Sequence, residues 1–371
     1  MSYHRTVRTF VASWAPAWLP ALVLCTMAPT ALAAPRPPVA DDGRIQVPVV
    51  GQFGTPTRTS VGWDSEEFRK MAASRHRPLV AVELDGRKWL FVLVGAELYR
   101  ANASDNFSEW KIVPFAGAPL VNAQGLAVLK GRLFTTADEG KVGIYSVALP
   151  AKESAAEWSW TRIADAPDRR GGVVSDGEAL YVTAAQNLYR SQDGVTWSKV
   201  TPSPVPAAMI WSLTVGPGWH WMFVGIGGRR TTVMQVFSSP DGVTWKKVRD
   251  FPVNDVGSCD LVASANAVTA ACYERAERLV AGGEWTTVGT SSAARLPHTV
   301  HGEGAMSLWF GPKQQIATTD GGATWQAINS VEGVLWYRIS DAQLLLVSGG
   351  GVSVRPLVPL EDKAAAPVPA H

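Results

Sequence analysis

Eight arginines stand out as candidate binding residues. Arg75 with Arg77, Arg169 with Arg170, Arg229 with Arg230, and then Arg275 and Arg295 fall in short polar stretches between apolar runs. A guanidinium offers a planar fork of donors that matches a carboxylate or a phosphate, so several on one rim would form a receptor for an acidic ligand. A solvated rim of alternating charges fits the same residues. Glu274-Arg275-Ala276-Glu277-Arg278 has that look, and exposed ion pairs contribute little. The residues alone leave both readings open.

Other groupings carry less. His298 and His301 lie three apart, and on a strand such residues point to opposite faces, so they do not make a metal pair. Trp219-His220-Trp221 follows Gly216-Pro217-Gly218 and sets two indoles on one face of a strand. That suits an aromatic platform for sugar rings, and it suits packing between sheets equally well. The chain has no glycine-rich phosphate cradle, no Cys/His ligand set and no nucleophile elbow, so no cofactor and no metal is expected.

The strands between these polar stretches come from a repeat. Leu188–Val200 contains Ser191, Asp193, Gly194 and Trp197, and Val236–Val248 contains Ser239, Asp241, Gly242 and Trp245. Ile316–Ile328 contains Thr318, Asp320, Gly322 and Trp325. Weaker copies end at Trp110, Trp158 and Trp285. The six tryptophans follow one another at intervals of 48, 39, 48, 40 and 40 residues. A period near 40–50 residues with four short strands per unit marks a propeller blade. In each copy the Ser/Thr and Asp side chains can accept bonds from the turn amides, and glycine supplies the positive φ. The tryptophan then begins the next strand with a large apolar face free to pack on a neighbouring blade.

These residues resemble the Asp-box, or BNR-repeat, pattern: Ser/Thr, any residue, Asp, any residue, Gly, any residue, Thr, Trp. Thr318 to Trp325 fits it position by position, whereas the copies at Ser191 and Ser239 are one residue shorter between Asp and Trp. The resemblance implies that the box closes the turn between third and fourth strands, opposite the usual ligand face, so the box residues are structural. It also brings in sialidases, which need three arginines, a tyrosine activated by a glutamate, and an acid–base aspartate. Their Arg-Ile-Pro hallmark is not matched by His76-Arg77-Pro78-Leu79. Tyr99, Tyr145 and Tyr189 fall beside or inside repeat strands, while Tyr273 adjoins Glu274. In style the repeat is similar to photosystem-assembly-factor-like propellers, which implies a non-enzymatic assembly helper. The expected function is thus a binding scaffold that takes a protein partner or a glycan on its loop-rich face; the alternatives are a sialidase-like hydrolase and a glycan-binding module.

An all-β, seven-bladed propeller is predicted, with six or eight blades as alternatives. Strands at Leu79–Leu84, Trp89–Val94, Leu98–Asn102 and Trp110–Val113 make its first blade, and five blades end at the later tryptophans. Val334–Ile339, Gln343–Ser348 and Gly351–Arg355 supply only three strands, and Ile45–Val50 is expected to complete that last sheet. The ring then spans 44–358, with a Pro-rich leader at 34–43 and an Ala/Pro tail at 359–371. Asp64–Met71 reads as a short helix opened by a capping pair, Asp64 and Glu67.

Residues 1–33 read as a signal peptide: Arg5 and Arg8, an apolar run from Phe10 to Leu24, and a small-x-small site at Ala31-Leu32-Ala33. Removing them leaves 32 basic and 32 acidic side chains, with no apolar stretch long enough to span a membrane. A neutral surface gives no general reason to bind nucleic acid. A monomeric protein of the periplasm or the cell exterior is expected. Cys259 and Cys272 then meet a compartment that permits disulfides. Counted outward from a turn at Ala265-Asn266, they fall opposite one another in a non-hydrogen-bonded pair, where Cα atoms approach to about 4.5 Å. A structural cross-strand disulfide is the expectation.

Overall fold

The computed structural model describes residues 49–53, 57–58, 79–84, 86–94, 97–102, 110–113, 120, 123–138, 142–149, 158–167, 172–184, 186–200, 208–216, 218–226, 233–252, 259–264, 267–272, 275–280, 282–290, 295–302, 304–310, 315–318, 324–328, 335–340, 343–348 and 351–359. Met1–Pro35 and Arg36–His371 are separate units; the first lies wholly outside the described residues, as do the expected helix at Asp64–Met71 and the tail beyond Pro359.

Two short strands come first, β1 (Val49–Phe53) and β2 (Thr57–Arg58). Five four-stranded antiparallel sheets follow in chain order. The first holds β3 (Leu79–Leu84), β4 (Arg87–Val94), β5 (Glu97–Asn102) and β6 (Trp110–Ile112). The second holds β7 (Gln124–Leu129), β8 (Arg132–Asp138), β9 (Val142–Ala148) and β10 (Thr161–Asp165). β11 (Val173–Ser175), β12 (Leu180–Ala184), β13 (Asn187–Ser191) and β14 (Ser198–Lys199) form the third. β15 (Ala208–Gly216), β16 (Trp219–Ile226), β17 (Val233–Ser239) and β18 (Lys246–Pro252) form the fourth. The fifth contains β19 (Cys259–Ser264), β20 (Ala267–Cys272), β21 (Arg275–Val280) and β22 (Trp285–Thr290).

The remaining strands belong to one nine-stranded sheet: β23 (Arg295–Gly302), β24 (Gly304–Phe310), β25 (Gln315–Thr318), β26 (Trp325–Ile328), β27 (Leu335–Ser340), β28 (Gln343–Ser348) and β29 (Gly351–Pro359), with β1 and β2. β1 pairs antiparallel with β29, Gly51 opposite Pro359 and Phe53 opposite Leu357, and β2 continues along the same strand. The N-terminal strand therefore does add to β27–β29; it is described over Val49–Phe53, and residues 45–48 of the expected Ile45–Val50 lie outside the described residues. It also pairs parallel with β26, which fuses the two groups of strands at their outer edges. First strands of successive sheets neighbour one another from β3 through β27, and β23 also approaches β3.

The seams between sheets are apolar. Phe91, Leu93 and Leu98 of the first sheet meet Leu126, Leu133 and Val147 of the second. Phe134 and Ile144 meet Val173, Leu180 and Val182 across the next seam. Along β16, Met222 and Val224 pack toward the third sheet while Phe223 between them packs toward the fifth. This two-sided burial explains the unbroken apolar run there. Trp158, Trp197, Trp245 and Trp285 each pack into the seam with the preceding sheet, which gives the expected packing role a direction. Each buried large side chain contributes on the order of 1.5–3 kcal/mol.

Candidate functional site

In an antiparallel four-stranded unit, the first-to-second and third-to-fourth connections share one edge, and the second-to-third and fourth-to-first connections share the other. The two well-described repeat turns lie on the first of these edges. Ser191 ends β13 and Ser239 ends β17, each buried. Ser191 Oγ donates to Asp193 Oδ1 at 2.9 Å and accepts from Gly194 N–H at 2.8 Å. Asp193 Oδ1 also accepts from Val195 and Thr196 N–H at 2.8 and 2.7 Å, and Trp197 Nε1 donates to Gly194 O at 3.1 Å. Ser239, Asp241, Gly242, Val243, Thr244 and Trp245 repeat every one of these bonds to within 0.1 Å.

Donors from Thr196 and Val195 hold the Asp193 carboxyl at about 2, and the same bonds from Thr244 and Val243 hold Asp241 below the ordinary carboxylate range. Carboxylates so engaged close a turn and are poor candidates for acid–base work. The glycines do more than turn the chain. Gly194 (φ 77°) and Gly242 (φ 69°) have no room for a Cβ, because Phe134 and Tyr181 of the preceding sheets stand against them. Of the third copy, Thr318 ends β25 and Trp325 opens β26 fully buried, while Asp320 and Gly322 lie outside the described residues.

Arginine placement is partial. Arg75, Arg77, Arg169, Arg170, Arg229 and Arg230 lie outside the described residues. Arg275 is the first residue of β21 and Arg295 the first of β23, so both stand on the edge opposite the Ser-x-Asp-Gly turns. Glu97, the first residue of β5, is on that edge too, and it accepts a bond from the half-buried Tyr99 hydroxyl at 2.5 Å. Tyr145 is buried and Tyr189 half-buried within their strands; Tyr273 lies outside the described residues. His298 and His301 both fall within β23.

Trp219 and Trp221 do not form an open platform. Both pack against the cluster between the fourth and fifth sheets. His220 between them faces the other way, into the third sheet, where Asp176 Oδ2 lies 2.7 Å from its Nε2. Tyr181 donates to the same carboxylate oxygen at 2.8 Å, and His220 Nδ1 meets the Ser239 carbonyl at 3.2 Å. Asp176 Oδ1 accepts from Glu178 and Ala179 N–H. Burial alone would raise the Asp176 carboxyl, but the bonds from His220, Ala179, Tyr181 and Glu178 outweigh it and hold it at about 2. Burial pushes the Tyr181 hydroxyl up. The sequence reading missed this network, although strand alternation already set His220 on the face away from both tryptophans. One seam further on, Arg249 Nη2 contacts the buried Glu277 carboxylate at 2.8 Å and its guanidinium covers Trp285. Among the described residues no group of three or more His, Cys, Asp or Glu could hold a metal ion.

Comparison with known proteins bears on the fold. The family described as DUF6242 beta propeller domain matches residues 116–271. The chain is a β-propeller. Among solved structures, it is similar to the N-terminal domain of Nup159, with TM-score 0.52 and 9% identity over 86% of this chain and 98% of that one. A chain of the mitotic checkpoint complex gives TM-score 0.52 and 12% identity over 90% of the propeller and 98% of its counterpart. YCF48 from Cyanidioschyzon merolae gives 0.48 and 9%, over 76% and 96%. No curated protein matches the propeller's sequence. At such identities the likeness is one of fold.

Proposed function

We propose that the protein is an exported, seven-bladed propeller of the Asp-box type that binds a macromolecular partner through the edge carrying its second-to-third and fourth-to-first connections. One contrast between the two edges carries this reading. The Ser-x-Asp-Gly edge is closed by turns whose polar side chains bond one another and their own amides. On the other edge, Arg275 and Arg295 open their strands. Seven blades follow if the nine-stranded sheet is divided between β26 and β1, so that β27–β29 and β1 make the last blade. A propeller of like fold occurs as a chain of the mitotic checkpoint complex, which supports a scaffold role for the architecture.

The partner is sought with the tagged protein, crosslinked in its native host and compared with two variants. A partner retained by Thr196→Glu, on the closed edge, and lost by Arg275→Glu/Arg295→Glu supports the reading. Equal loss or equal retention in both variants counts against it.

A second reading rests on the Tyr99–Glu97 bond, the pairing a tyrosine nucleophile needs. Fluorogenic sialosides and other glycosides decide it. Turnover abolished by Tyr99→Phe and by Glu97→Gln makes the protein a hydrolase, and no turnover removes that reading.

A further inference from the structure

The fifth sheet places two cysteines and an arginine in one row. Its first hairpin runs in unbroken register from Ser264 opposite Ala267 to Cys259 opposite Cys272. The next begins with Cys272 opposite Arg275, which in turn stands opposite Thr290. Residues directly opposite share a face, so Cys259, Cys272, Arg275 and Thr290 lie in line across the four strands.

Two independent counts fix the pairing type. The five steps from the pair that closes the β19–β20 turn make Cys259–Cys272 a non-hydrogen-bonded pair. Cys272 itself closes the two-residue β20–β21 turn with Arg275, which makes that pair hydrogen-bonded. A strand residue directs both backbone groups to one side, so the second result requires the first, and they agree. The non-hydrogen-bonded pair brings Cα atoms to about 4.5 Å, within the span a disulfide bridges.

Arg275 adds a feature that a merely structural staple does not need. It is in register with Cys272, and a cation so placed favours the thiolate, which is the nucleophile of thiol–disulfide exchange. Among the described residues no cation is in register with Cys259 on its side. Glu277, two residues along β21 on the same face, is negative, but its carboxylate is engaged by Arg249 of the fourth sheet. Asp260 alternates to the opposite face.

We propose that Cys259 and Cys272 form a reversible disulfide, with Cys272 as its reactive sulfur. The Cys272 thiolate attacks the disulfide of a protein or small-molecule oxidant, forming a mixed disulfide and expelling one thiolate. Cys259 then loses its proton and displaces the second thiolate. Two thiols become one disulfide, and the oxidant's disulfide takes up the two electrons as two thiols. A dithiol reductant reverses both steps.

The test uses the full chain with Cys25→Ser, so that two thiols remain. Oxidised glutathione should abolish both free thiols, and dithiothreitol should restore them while the fluorescence of the folded protein is unchanged. Single-thiol chains, Cys259→Ser and Cys272→Ser, are then alkylated with iodoacetamide across a pH series. Cys272 should react several-fold faster near neutral pH. Arg275→Gln should remove that advantage and Arg275→Lys should keep it, while Cys259 reacts alike in both. Two free thiols after oxidation would overturn the proposal, as would a disulfide that dithiothreitol cannot reduce without unfolding. Equal rates at the two cysteines, or a Cys272 rate indifferent to Arg275, would overturn the assignment of the reactive sulfur.

Discussion

Asp176 and His220 join the third and fourth sheets through a contact of 2.7 Å that is almost wholly shut off from water. Asp176 sits in the turn between β11 and β12, whose amides its other oxygen caps. His220, near the start of β16, reaches the carbonyl of Ser239, the residue that opens the Ser-x-Asp-Gly turn of its own sheet. The pair therefore ties a turn of one blade to a turn of the next at the closed edge, with Tyr181 and the edge of Trp245 around the imidazole.

The pH dependence of stability follows from the depressed Asp176 carboxyl. It lies at about 2 in the folded chain against an ordinary 3.8, so its contribution is fully present above the unfolded value and is lost as pH falls through the folded one. The contribution is about 2 kcal/mol. Melting temperature measured from about pH 5 down to about pH 2 should drop steeply for the native chain and less steeply for Asp176→Asn, with the two curves converging at the acid end. Parallel curves would refute the linkage.

Two glycines with the same kind of backbone should respond differently to alanine. Gly177 (φ 96°) opens onto empty space, and Gly242 (φ 69°) abuts Tyr181. Gly177→Ala bears only the left-handed backbone cost, roughly 1–2 kcal/mol. Gly242→Ala adds overpacking of about 1–3 kcal/mol. Urea midpoints of the two variants test the ranking; as a check, Gly242→Ala combined with Tyr181→Ala should cost less than the sum of the two single changes.

Arg249 and Glu277 form a bridge between the fourth and fifth sheets with the carboxylate only 2% exposed. Truncating Arg249 to Ala leaves a buried charge and should cost about 3–5 kcal/mol. Replacing both residues together, Arg249→Met with Glu277→Leu, should lie much nearer the native stability. A double-mutant cycle by chemical denaturation reads the coupling directly.

Features that depend on near neighbours in the chain were legible in the residues alone. The tryptophan spacing marked the sheets, Ser191–Trp197 and Ser239–Trp245 specified turns whose bonds all fall within six residues, and two-residue connections put Cys259 opposite Cys272. Alternation also set His220 against its flanking tryptophans. Which face of a sheet meets which neighbour was decided only by the packed ring. His220 finds Asp176 44 residues away, Arg249 finds Glu277 across a seam, and Gly242 rests on Tyr181. The last closure belongs to the same class: β1 joins β29 and also β26. A strand's period of two assigns each side chain to a face. What that face touches depends on the tilt and stacking of separate sheets, and those are set by the summed fit of the seams, which no local pattern records.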